Sequence, residues 1–375
     1  MNLFHKKAKT DEDYYLASQW KLMARKLSHH KLARFSLILL AILYLLALFA
    51  PFVAPYSLEA YDSTYKNSKP ATVHFFDEDG AFVGPYIYAM TYVNNPETFK
   101  RDWSEDTSEK YYVKLFVEGE EYKLLGIFTT NIHLYGVVGE YGGTSAKLMI
   151  FGGDSLGRDL FSRMLYGSQI SLTIPLVGTL LSFIMGIILG SISGYFGGWI
   201  DDIIQRIIEV LSALPTIPLW MALSAAIPAS VPVARMYLYI TVIISFISWT
   251  GLARVVRGKF ISLKNEEFIM AAQVAGVSSA KIMMKHMVPG FMSYLIVNLT
   301  LGIPSMIIGE TSMSFLGLGM RAPATSWGVL LQETQDITSV AQYPWRLIPL
   351  GAVILTVLAF NFLGDGVRDA ADPYK

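Results

Sequence analysis

The 375-residue chain is 53% hydrophobic, 13% aromatic and only 16% charged, below the roughly 25% charge usual for soluble domains, which places it among membrane proteins. Thirty basic and thirty acidic residues cancel to a formal net charge of zero, so the overall charge makes no case for a nucleic-acid partner. Cysteine is absent, which excludes disulfides, thiol catalysis and cysteine-held metals and says nothing of the redox compartment.

In chain order, residues 1–34 are polar and basic, carrying Lys6, Lys7, Lys9, Lys21, Arg25, Lys26, Lys31 and Arg34. Such a tail is expected in the cytoplasm. Phe35 to Ala54 is charge-free and long enough to cross a bilayer, so residues 35–54 read as transmembrane helix one. A cleaved signal peptide fits less well, because the polar lead is long and Pro51 and Pro55 suit a cleavage site poorly. Residues 55–150 turn Tyr-rich, polar and mixed in charge. The runs Thr72–Phe76 and Tyr111–Val117 read as strands, and Asp79-Gly80, Gly84-Pro85 and Gly142-Gly143 as breaks between strands. We expect an inserted small β-rich domain there, extracytoplasmic if the tail is inside.

Residues 151–169 form an amphipathic lead, and 170–364 a five-helix core. Its spans are Ile170–Tyr195, interrupted by Pro175; Ile203–Ile227, with Pro215 and Pro218; Tyr237–Leu252; Phe291–Phe315; and Leu347–Leu363. With a loop over 253–290 and a tail over 365–375, six spans leave both termini cytoplasmic. Positive residues support this orientation: the loop carries Arg254, Arg257, Lys259, Lys264, Lys281 and Lys285, whereas the two later outside loops carry Arg235 and Arg321 alone. The turn Gly194–Asp202 lacks the basic residues expected inside, and Arg158 and Arg163 fall outside.

Residues 266–290 divide at Gly276. Before it, Phe268, Ala271, Ala272, Ala275 and Ser279 recur at helical spacing and make a face of small side chains. After it, Ser278 or Ser279 is expected to cap a second short helix, with Ile282, Met283, His286 and Met287 on one face and Pro289-Gly290 as its stop. Spacing alone fits a docking face and a loop lying on the lipid surface equally.

Ionisable residues inside spans are functional candidates: Arg206 with Glu209, three apart on one helix face, and Glu310 among Gly302, Pro304 and Gly309. For Arg206 and Glu209 the bland reading is an ion pair reaching the interface. No enzyme motif stands out. There is no His-Glu-x-x-His, Gly251–Phe260 fails as a phosphate loop, and Gly317-Leu318-Gly319 has no strand–turn–helix context. His286 reads as packing or capping rather than metal ligation. We expect no catalytic, metal or cofactor site in this chain.

The segment Ala271-Ala272, Gly276, Pro289 resembles the loop of ABC importer permeases patterned Glu-Ala-Ala, Gly, Ile, Leu-Pro, with Met270, His286 and Val288 at the positions of the Glu, Ile and Leu. Phe151–Asp159, which contains Gly157, Arg158 and Asp159, Gly194–Asp201, Trp249–Gly258, Ser314–Gly319 and Asn361–Asp369 are similar to signatures of the C-type permease subunit of dipeptide and oligopeptide ABC importers. The resemblance covers about 30–55 and 150–375 and says least about the inserted stretch. It implies an all-α polytopic fold, multi-pass in a prokaryotic cell membrane, with the loop docking an ATPase through Glu267, Ala271, Ala272, Gly276, His286 and Pro289. It also implies partners: a homologous B-type permease subunit, two ABC ATPase subunits that use ATP and Mg, and an extracytoplasmic substrate-binding protein. The substrate would be an oligopeptide or dipeptide, with oligosaccharide the alternative. A stand-alone secondary transporter is the rival class, although no internal repeat is visible, and a membrane-anchored binding protein is another.

Overall fold

A computed structural model describes residues 19–96, 101–141, 144–228, 230–321 and 323–371. The Gly142-Gly143 break, residues 1–18 of the basic tail and residues 372–375 lie outside the described residues.

Helix α1, Gln19–His29, leads into α2, Lys31–Leu48, through His30, whose ring accepts the Ala33 N–H at 3.1 Å and so caps α2. Ala33, Ser36, Leu40 and Ala47 face protein, while Leu37, Ile38, Ile42, Leu45 and Leu48 stay about half exposed on the opposite side. The helix ends before Pro51, which starts a one-turn helix α3, Ala50–Val53.

The inserted region is an antiparallel meander in the order β1-β2-β3-β4: His74–Phe76, Phe82–Asn94, Arg101–Leu124 and Phe128–Val137. The long β3 serves two partners. Its first half pairs with β2, as in Met90↔Glu105, and its second with β4, as in Leu115↔Tyr135. Bulges at Tyr88/Ala89 and Glu118/Tyr122 let one strand bend between the two pairings. Ile87, Ala89, Tyr111, Ala146 and Leu148 form the core of this sheet.

The remaining chain is helical: α4 (Leu160–Phe196), α5 (Gly198–Ala213), α6 (Thr216–Ala225), α7 (Val233–Leu263), α8 (Glu267–Val274), α9 (Ser279–Phe315), α10 (Trp327–Gln332), α11 (Ile337–Gln342) and α12 (Ile348–Ala371). Helices α2, α4, α7, α9 and the segment ending in α12 are long and apolar enough to cross a membrane. A sixth crossing results if the α5–α6 pair, bent by 91°, counts as one span. Pro215 sits at that bend. The amphipathic lead is no separate element from Leu160 onward, because Asp159 accepts the Ser162 N–H at 2.7 Å and starts α4 there.

Helix α4 packs on α7 through a small residue at every fourth position: Gly178, Ser182, Gly186, Gly190 and Gly194. A Cβ at Gly190 would lie 2.5 Å from the Ala253 carbonyl oxygen, and one at Gly194 2.6 Å from that of Arg257. The Ser182 hydroxyl donates to the Ser245 carbonyl and that of Ser245 to the Gly178 carbonyl, both at 3.1 Å. With almost no hydrophobic force between helices in lipid, such close backbone approach is what holds a pair together.

Gly190→Leu is expected to destabilise the protein by about 1–3 kcal/mol or more, the range for overpacking. Gly258→Leu on α7, where a Cβ meets nothing, should leave stability unchanged. Thermal unfolding of the detergent-solubilised variants checks both.

Candidate functional site

Helix α8 and the start of α9 form a bent arm at the end of α7. Gly276 makes the bend at φ +74, with its N–H bonded to the Gln273 carbonyl and the Val277 N–H to that of Ala272. This Schellman end requires a left-handed residue, hence glycine. Ser278 sits at the next helix's N-cap without a side-chain hydrogen bond.

Beyond that cap, two sequence expectations are corrected. Pro289-Gly290 does not stop the helix: Ile282–Met287 form a π turn, Val288–Phe291 a 3₁₀ turn, and the helix continues to Phe315. Pro289 falls in the first turn of the 3₁₀ piece, where its missing N–H is not needed. In the π turn, where bonds run from i to i+5, Ile282 and Met287 turn inward together. His286 is therefore exposed and shares no face with them.

The arm is fixed on one side only. Ile269, Ile282, Met287, Val288 and Phe291 pack against Tyr195 of α4 and Val256 and Phe260 of α7. The Lys264 ammonium donates to the Tyr195 carbonyl at 2.8 Å, and the Gln273 amide reaches the Tyr195 hydroxyl at 3.5 Å. The other side of α8 is bare: Glu267 and Ala271 are exposed, Phe268 is 51% exposed, Met270 46% and Val274 90%. Ala272 is half-buried against the core.

Beside the arm, Arg257 of α7 grips Asp201 of α5 through two hydrogen bonds, 2.6 and 2.5 Å. Ser193 of α4 donates to the same carboxylate at 2.5 Å. This three-helix lock was not singled out from the sequence, in which Arg257 counts as one of six basic loop residues and, like Asp201, falls within a signature segment without a partner assigned to it.

The intramembrane candidates separate. Arg206 and Glu209 pair at 2.7 Å but are 80% and 58% exposed on α5. Glu310 is fully buried, accepting the hydroxyls of Ser171 at 3.3 Å and Ser314 at 2.8 Å. Those hydroxyls in turn accept the N–H groups of Trp327, at 3.0 Å, and Met320, at 3.3 Å. Glu310 is thus the node joining α4, α9 and the start of α10, and no cation pairs with it among the described residues.

At the opposite end, Asp154 holds both Arg158, at 2.6 Å, and buried Arg163. Glu333 sits 3.5 Å from Arg346, which also bonds Ser339 and Asn67. The glycines of this segment admit the chain below the sheet: a Cβ on Gly153 would lie 2.3 Å from the Tyr65 carbonyl, and one on Gly157 1.9 Å from that of Asp62. Gly157, Arg158 and Asp159 thus form a clamp between the sheet's base and the helices. Among the described residues no group of acidic or histidine side chains is arranged to hold a metal.

Residues 186–374 match the model of the binding-protein-dependent transport system inner membrane component family, and residues 18–70 that of the N-terminal TM domain of oligopeptide transport permease C. The oligopeptide transport system permease protein OppC of Salmonella typhimurium is 44% identical over 60% of this chain and 72% of its own length. OppC of Bacillus subtilis is 38% identical, covering 60% and 71%, and the dipeptide transport system permease protein DppC of the same organism 34%, covering 60% and 68%. A solved chain of the MetNI methionine ABC transporter, facing inward, aligns with 57% of this chain and 98% of its own at a TM-score of 0.43 and 16% identity.

Burial pushes the Asp159 carboxyl up to about 6 from its ordinary 3.8. A raised value means that the folded chain keeps this proton longer than the unfolded one. The stabilising contribution is therefore full below about pH 4 and lost as pH rises through about 6. Asp159→Asn, which keeps an acceptor for the Ser162 N–H but cannot titrate, should remove that part of the pH dependence. Thermal unfolding of both proteins between pH 4 and 7 measures it, and identical profiles would contradict the assignment.

Proposed function

The chain belongs to the family of binding-protein-dependent transport system inner membrane components, and on that premise we propose that it is the C-type permease subunit of a peptide-importing ABC transporter. It is a multi-pass inner-membrane protein, and its relatives are named for oligopeptide and dipeptide transport. It forms half of a translocation pathway beside a homologous B-type permease. Two ATPase subunits hydrolyse ATP with Mg, and a substrate-binding protein delivers cargo from outside. The N- and C-termini are cytoplasmic, and the four-stranded sheet stands on the extracytoplasmic side.

The observation that carries the coupling role is the asymmetry of the α8 arm. Its inner side is packed and hydrogen-bonded to α4 and α7, while its outer side leaves Phe268, Met270, Ala271 and Val274 exposed, with no partner among the described residues. Displacing α8 must carry Tyr195 and Phe260 with it. Because the glycine stripe and the Asp201–Arg257 pair bind α4, α5 and α7 together, a push on the arm moves them as a rigid body. Glu267, Ala271, Ala272, Gly276, His286 and Pro289 make up the docking segment, with Gly276 shaping it rather than touching a neighbour. The outer side also fits a loop lying on lipid, and the following substitution separates the two readings.

Val274→Asp should leave membrane insertion and stability unchanged, since the side chain is 90% exposed. It should cut substrate-stimulated ATP hydrolysis by the assembled transporter at least about tenfold, because an unpaired carboxylate buried at an interface costs on the order of 2 kcal/mol or more. Unchanged hydrolysis would refute docking through α8. The class itself is tested by reconstitution: labelled oligopeptide enters liposomes only with all partners and ATP present. Uptake by this chain alone, or of oligosaccharide in place of peptide, would contradict the proposal.

A further inference from the structure

The β3–β4 hairpin carries an apolar tip where turn chemistry favours polar residues. Leu124-Leu125-Gly126-Ile127-Phe128 are consecutive, and Leu125 is 47% exposed, Ile127 74% and Phe128 63%. The Ile127 N–H donates to the Leu124 carbonyl at 3.1 Å, with φ +53 at Leu125 and +72 at Gly126. Positive φ at both central residues is the tight hairpin turn for which Asn-Gly or Asp-Gly is the usual choice. Leu in that left-handed position is strained, and in water it would also expose a large apolar side chain. Both costs make sense only if the tip leaves water.

The helix beside the tip indicates where it goes. Leu124 lines an open groove of about 460 Å³ with Ile42, Leu45, Leu46 and Phe49 of the α2 end. On the other side of α2, Leu125 and Gly126 border a second cavity with Tyr44, Leu48, Gln169 and Thr173. The strand leading to the tip is tied to the end of α3, where the His133 ring meets the Ala54 carbonyl at 2.6 Å. The exposed surface of the tip is continuous with the half-exposed face of α2 formed by Ile38, Ile42 and Leu45.

We propose that the β3–β4 tip, Leu124 to Phe128, dips into the outer leaflet of the bilayer and contacts phospholipid acyl chains, anchoring the inserted sheet beside α2. Lys123, exposed one residue above the tip, extends its stem along the apolar surface and places its ammonium among the headgroup phosphates. Only the turn enters the hydrocarbon, and its own hydrogen bond plus the Leu124↔Phe128 pairing limit the backbone left bare. The proposal rests on α2 crossing the membrane with the sheet outside.

The absence of cysteine allows one label at a time. Ile127→Cys and, separately, Phe128→Cys would be spin-labelled in the complete transporter, its other subunits freed of cysteine, in phosphatidylethanolamine/phosphatidylglycerol nanodiscs. Accessibility to oxygen and to a water-soluble nickel chelate is then compared with Ile42→Cys on α2 and Asp79→Cys in the β1–β2 turn. The expected result is high oxygen and low nickel accessibility at 127 and 128, as at 42. Nickel accessibility like that at 79 would place the tip in water and overturn the proposal. Low accessibility to both reagents would place it against another protein, such as the partner permease, and also overturn it. Nickel accessibility at 42 itself would remove the premise about α2, which distinguishes that failure from failure of the tip.

Discussion

Everything in the helical core depends on how closely α4 and α7 approach. A membrane interior offers little hydrophobic reward for pressing one apolar helix on another, so contact has to come from shape. Gly186, Gly190 and Gly194 bring the α4 backbone against Leu252, Ala253, Val256 and Arg257; a side chain at Gly186 would overlap that of Leu252, and one at Gly190 or Gly194 would overlap main-chain atoms of Ala253 or Arg257. The two serine bonds between Ser182, Ser245 and Gly178 extend the same seam. It ends at Tyr195 and Phe260, where the α8 arm is seated.

The polar groups then occupy places where this seam needs help. Asp201 with Arg257 closes the end beside the α8 arm, and Glu310 with its serines ties α9 and α10 to α4 farther along. Asp154 with Arg158 and Arg163 closes the opposite end of α4, beneath the sheet. Removing one member of the Asp154 cluster would strand a buried charge, which is costlier than the net value of the pair.

Much of this was legible in local pattern. The charge-free run after Arg34 marks α2, the alternating Tyr111–Val117 run lies in β3, and Gly276 marks the bend because only a residue free to take positive φ ends α8 that way. What escaped needed partners far along the chain or a change of period. His286 was grouped with Ile282 and Met287 by counting 3.6 residues per turn, and the π turn altered the count. Arg257 looked like a loop charge until Asp201, 56 residues earlier, was placed opposite it. The stripe from Gly178 to Gly194 was not singled out from the sequence; its period of four small residues is the signal that identifies it. The signature segments resembling the permease family coincide with such contacts: Gly194–Asp201 meets Trp249–Gly258, and Gly366 lies against Ala33.

The central claim is that the bare side of α8 meets a nucleotide-hydrolysing subunit rather than lipid. A photoreactive amino acid placed at Val274, activated in native membranes and followed by mass spectrometry of the adduct, tests this most directly. The account predicts a cross-link to a cytoplasmic ATPase subunit whose yield changes with nucleotide. Adducts with phospholipid alone would contradict it.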